Sequence, residues 1–154
     1  MRLPVILLIL LCTAGHAADL FVAVKETKTG RESFFRIDTD SFRVMKSKQP
    51  ATNQLLPKIT KYKVEKRRLI AGDQSLIKAD NILLQCSAGD TDFVVVRQEH
   101  NSLASPLRVL SAFSGHPVQV SKIVIVKIAD GKLVDQRELT RRASSYDWTA
   151  TVSQ

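Results

Sequence analysis

The sequence predicts an all-β or mostly β fold: a single antiparallel sheet domain, sandwich or partly closed barrel, with room for one short helix. Three observations lead there. After residue 17 no stretch places apolar residues at helical spacing over three turns. Short runs rich in Val, Ile, Phe and Tyr recur instead, separated by Gly, Asp, Asn and Pro. The prolines beyond residue 17 (Pro50, Pro57, Pro106 and Pro117) all fall between those runs, where a sheet tolerates a residue without an N–H.

In chain order, residues 20–24 form a first strand that turns through Lys28-Thr29-Gly30-Arg31 into a second at 33–37. Asp38-Thr39-Asp40-Ser41 offers side-chain acceptors to its own backbone amides and reads as a turn, with strand character resuming at 42–44. Residues 45–57 carry Ser47, Pro50, Asn53 and Pro57 and read as a long surface loop. One strand is expected over 58–70, ending at Gly72-Asp73, with a short helix allowed near 73–80. Residues 81–87 and 93–97, joined through Ala88-Gly89-Asp90-Thr91-Asp92, read as a hairpin. Further runs cover 107–113 and 118–128. Asp130-Gly131 then favours a tight turn into 133–139, and a last strand holds 148–152.

The N-terminus has the three parts of a secretory signal: Arg2, the apolar run Val5-Ile6-Leu7-Leu8-Ile9-Leu10-Leu11, and a small-residue exit through Ala14, Ala17 and Ala18. The apolar run is short of the roughly 20 residues that span a bilayer. Residues 1–17 are therefore expected to be cleaved and residues 18–154 to form one β-rich domain, exported to the periplasm or outer surface of a bacterial cell. Leu11 stands where a lipid-modified Cys12 would want a small residue before it. Removal of Cys12 leaves only Cys86, so no intramolecular disulfide is available. Cys86 shares strand parity with Ile82 and Leu84 and reads as a buried thiol or as one half of an intermolecular bridge.

Charge is unevenly distributed. Residues 25–68 hold 13 Lys or Arg against five acids, whereas residues 69–154 hold nine of each. Period-two alternation puts Lys61, Lys63, Glu65 and Arg67 on one face of the 58–70 strand, with Lys66 and Arg68 at its far end and Lys46, Lys48 and Lys58 flanking it. This basic stripe reads as a docking surface for an anionic glycan, lipopolysaccharide or a host or envelope protein. It also reads as a solvated face that blunts an edge strand. Nucleic acid is disfavoured by the export signal and by the lack of interleaved aromatics. The candidate partner-binding residues are Lys61, Lys63, Lys66, Arg67 and Arg68.

Catalytic motifs are missing. No HExxH pattern, zinc-type cysteine set, nucleophile elbow, phosphate-cradling glycine loop or dinucleotide fingerprint occurs, so no cofactor, metal or enzymatic activity is expected. A hydrolase site assembled from His100, His116 and Asp92 would require those side chains to converge. Arg141-Arg142-Ala143-Ser144 matches a basic kinase site at chance level only. Trp148, the single tryptophan, sits beside Tyr146 and reads as a core ring, a pin for the terminus or a ligand-stacking surface.

Phe35-Arg36-Ile37-Asp38-Thr39-Asp40-Ser41-Phe42, the charged run 62–69, and Ser75-Leu76-Ile77-Lys78 leading to a strand ending in Cys86 together resemble the surface-adhesin E-like family of small exported bacterial proteins. The resemblance covers residues 20–96. The chain departs from the family pattern in lacking a second cysteine for Cys86 and in carrying the hairpin at Asp130-Gly131. It implies a β-sheet domain displayed in the envelope or on the surface, adhering to matrix or plasma proteins in some members. The expectation is an exported, non-enzymatic, adhesin-like binding protein; the alternative is a periplasmic inhibitor or immunity protein that blocks an envelope-acting enzyme.

Overall fold

The computed structural model describes residues 19–48, 54–101, 119–143 and 147–154. The expected signal segment, the run 107–113, His116 and Tyr146 lie outside them. Among the described residues every regular element is a strand: β1 Leu20–Glu26, β2 Glu32–Ile37, β3 Val44–Ser47, β4 Lys63–Glu65, β5 Arg68–Ala71, β6 Gln74–Lys78, β7 Asn81–Ala88, β8 Thr91–Asn101, β9 Gln119–Ala129, β10 Lys132–Ala143 and β11 Trp148–Ser153. The all-β prediction holds. The short helix allowed near 73–80 does not form, because Gln74–Lys78 is drawn into pairing with β5, and tertiary pairing overrides a weak local preference.

There are three antiparallel sheets, none closed into a barrel: an outer sheet β11-β1-β2-β3, a central sheet β10-β9-β8-β7, and a three-stranded cap sheet β4-β5-β6. The central sheet has both faces covered. Alternate residues of β8 and β9 divide cleanly: Phe93, Val95, Ile123 and Ile125 pack with Leu20, Val22, Phe35, Ile37 and Trp148 of the outer sheet. Val94, Val96, Val124, Val126 and Ile128 pack with Leu69, Ile77 and Tyr62 on the cap side. A strand buried on both faces must be apolar at every position, which is why Phe93-Val94-Val95-Val96 and Ile123-Val124-Ile125-Val126 are unbroken hydrophobic runs.

The turns follow local chemistry. Asp38 Oδ1 accepts the amides of Asp40 and Ser41 at 2.9 and 2.8 Å. Asp130-Gly131 is a two-residue turn with φ of 50° and 71°, the primed geometry whose twist matches a hairpin. Ser121 and Phe42 are buried, and Phe42 has φ of 53°. Its left-handed backbone delays β3 to Val44, two residues later than the sequence suggests.

The strand expected over 58–70 is broken. Lys66 and Arg67 occupy the left-handed region, with φ of 48° and 61°, and fold it into the β4–β5 hairpin. The alternation is also interrupted in β7, where a bulge between Ile82 and Leu84 sends Ile82 to the cap-side core and Leu84 and Cys86 to the other. An extra residue in one strand reverses parity beyond it, so the shared face read for Ile82, Leu84 and Cys86 is corrected.

Residues 54–62 form a strap. Gln154 N donates to Gln54 O and Leu56 N to Val152 O; farther along, Ile59 N donates to Gln85 O and Ser87 N to Pro57 O. The strap thus joins the β11 edge to the β7 edge: it takes in the end of the expected surface loop, 54–57, and also residues 58–62, the expected opening of the 58–70 strand, which instead cover the sheet margins. On the opposite side β3 and β10 are the terminal strands of their sheets.

Candidate functional site

The five predicted binding residues stay together but on different parts of a hairpin. Lys61 lies on the strap, Lys63 on β4, Lys66 and Arg67 in the turn, and Arg68 on β5. All five are exposed. Their charges are not equally available. Lys61 Nζ sits 2.9 Å from Asp92, Lys63 Nζ 2.7 Å from Glu65, and the Arg67 guanidinium pairs with Asp80. Arg68 hydrogen-bonds Ser75. Among the described residues neither Lys66 nor Arg68 has an ion pair.

Two of those acids belong to polar pins that fix the cap sheet and strap to the central sheet. Asp92, on β8, accepts from the Tyr62 hydroxyl at 2.5 Å as well as from Lys61. Gln85 holds the Tyr62 backbone from both sides, its amide oxygen accepting Tyr62 N and its amide nitrogen donating to Tyr62 O, each at 2.8 Å. Burial pushes the Asp92 carboxyl up. The Tyr62, Lys61 and Ser87 partners outweigh that and hold it below the ordinary range. Burial and the same carboxylate raise the Tyr62 hydroxyl, so this pair has the protonation of a structural pin, opposite to that of an activated tyrosine.

Asp80 is the second pin. It receives Arg67 on one oxygen and Glu99 N at 2.6 Å on the other, while Lys78 Nζ and Arg67 both donate to Glu99 O. Burial raises the Asp80 carboxyl and the Arg67 and Glu99 contacts more than reverse it.

The hydrolase constellation does not assemble. His100 and Asp92 lie at opposite ends of β8, eight residues apart, or roughly 26 Å at the usual strand rise. Burial and the neighbouring Lys78, Lys122 and Arg141 hold the His100 imidazole below its ordinary value, which favours its neutral form. Among the described residues no three His, Cys, Asp or Glu side chains are grouped to hold a metal, and no helix is long and apolar enough to cross a membrane. Cys86 is 1% exposed and burial pushes its thiol up to about 11; it is the buried thiol of the two readings, poorly placed for a bridge between chains. Trp148 is a core ring.

A second basic region was not legible as one site. A cleft of about 290 Å³ is lined by Glu32, Ser33, Phe34 and Phe35 of β2, Lys46 and Ser47 of β3, Lys48, and Thr140 and Arg142 of β10. Register with Phe35 puts Lys46 on the inner face of the outer sheet. Register with Ile123 and Ser121 puts Thr140 and Arg142 on the facing side of the central sheet. The cue available in the sequence was Lys46-Ser47-Lys48, but nothing there brings Arg142 opposite.

Comparison with protein-family models, with curated proteins and with solved structures gives no match to this chain.

Proposed function

We propose that this is an exported, non-enzymatic, adhesin-like envelope or surface protein that binds an anionic partner through the basic β4–β5 hairpin. The observation that carries this reading is the turn. Two-residue hairpin turns with both central residues at positive φ favour Asn-Gly or Asp-Gly. Here the positions hold Lys66 and Arg67, and left-handed backbone costs a side-chain-bearing residue on the order of 1 kcal/mol. The Arg67–Asp80 pair and the bond from Ala79 N to Arg67 O hold the turn in place. Strain kept at an exposed position supports a role for the side chains displayed there. Lys66 and Arg68 supply attraction that the intramolecular acids do not neutralise.

The test separates binding from stability. Residues 18–154 are applied to an immobilised sulfated glycan and eluted with salt. Lys66→Asn, which suits the turn better, is expected to leave the thermal midpoint equal or raised while lowering the salt needed for elution. Arg68→Gln is expected to lower elution further in combination. Unchanged elution for the double variant would overturn the hairpin as the docking surface.

A further inference from the structure

We infer that the cleft between β2–β3 and β10 is a subsite for a sugar-borne oxyanion, one carboxylate, sulfate or phosphate group on an acidic saccharide. This rests on the anionic-partner reading above and adds a second, separate contact. Its basis is the convergence of Lys46, Lys48 and Arg142 on one concavity. None of the three has an ion pair among the described residues, whereas Lys61, Lys63 and Arg67 on the hairpin all do. The one acid in the lining, Glu32, lies 3.3 Å from Lys25, so its charge is already matched outside the cation trio.

Clustered unneutralised cations in a concave site with protein walls concentrate the field on an anion more than the same charges on a convex turn do. Arg142 can bind an oxyanion through two parallel N–H donors, and the lysines add point charges. The volume of about 290 Å³ falls at the small end of ligand pockets, which run from about 300 Å³ upward. It exceeds what one carboxylate on a peptide side chain would fill, and Ser33 and Thr140 line it alongside the cations. A charged ring bearing hydroxyls matches that lining; an acyl chain does not. The cleft opens between the outer and central sheets, and the hairpin lies beyond the central sheet's other face, so one small ligand cannot touch both.

The experiment titrates residues 18–154, which hold every described element, with a trisulfated heparin disaccharide, following amide shifts and heat. A phosphorylated glucosamine disaccharide and a hexaglutamate peptide are titrated in parallel. The sulfated disaccharide is expected to shift amides of β3 and β10 and to bind at least tenfold more weakly to the Lys46→Gln/Lys48→Gln/Arg142→Gln variant. The Lys66→Asn/Arg68→Gln variant should bind this small ligand as the parent does. Stronger binding of the phosphorylated sugar would assign the oxyanion to a phosphoglycan within the same proposal. Equal or tighter binding of the peptide at the cleft would overturn the saccharide assignment in favour of an acidic protein. No binding, or binding untouched by the triple substitution in a variant with a parental melting curve, would overturn the subsite. Long-chain glycan retention that still depends on Lys66 and Arg68 would then leave the hairpin reading standing.

Discussion

The two faces of the central sheet are held by different physics. Toward the outer sheet lies a large apolar interface in which Phe35, Phe42, Leu20, Ile37 and Trp148 meet Phe93, Val95, Ile123 and Ile125. Toward the cap sheet the apolar set is smaller, and its position is fixed by the Tyr62–Asp92 and Arg67–Asp80 pins. Apolar burial is non-directional and supplies most of the stabilisation; charge-assisted hydrogen bonds are directional and set where a small layer sits. The face that carries the basic β4–β5 hairpin is the one whose placement depends on carboxylates.

Phe35→Ala should have the largest effect, about 3–5 kcal/mol of lost stability, visible as a lower denaturant midpoint for the whole chain. Leu69→Ala, at the centre of the cap-side core, should cost about 2–4 kcal/mol and accelerate hydrogen exchange first in β4, β5 and β6. If both substitutions accelerated exchange uniformly, the two faces would be one cooperative unit and the contrast would fall. Asp80→Asn should cost about 1–3 kcal/mol, because Arg67 loses its ionic partner and the amide of Glu99 keeps only a neutral acceptor. Its signature is faster exchange at β6 with β1 and β2 unaffected.

Acid sharpens the same contrast. Asp80 and Asp92 are held below ordinary carboxyl values, so their contribution is fully present above about pH 4 and is lost as pH falls through the lowered folded-state values. Exchange in the cap sheet should therefore rise below pH 4 before that in the outer sheet. The smallest effect belongs to Lys63→Gln: its partner Glu65 is as exposed as itself, and screened surface pairs contribute little. The melting temperature should not move.

What the sequence revealed follows the same division. The hairpins at Asp130-Gly131 and Gly89-Asp90 were legible because the turn residue announces its backbone; at Gly72-Asp73 the turn was visible, but the strand after it, β6, reads in the sequence as a short helix. The hairpin at Lys66-Arg67 was hidden because neither residue signals positive φ. Reading on through it produced a single basic stripe where the chain reverses. The cleft was hidden for a different reason: Lys46 and Arg142 meet only through the stacking of two sheets, and no local pattern encodes which edge lies over which. Asp80 and Asp92 were visible as acids, but their distant partners Arg67 and Lys61 were not.

The pairing of β1 with β11, in which Phe21 faces Ser153 and Glu26 faces Trp148, bears on the order of events during folding. The outer sheet needs both ends of the chain, so its closing contacts carry close to the greatest loop length the described chain allows, and such contacts form slowly. Until the last six strand residues arrive, β1 has one unpaired margin while Leu20, Val22 and Val24 already seek cover. A polypeptide shortened before Trp148 would keep that margin permanently exposed, a template for pairing with another molecule. The C-terminal strand is therefore also this protein's protection against self-association.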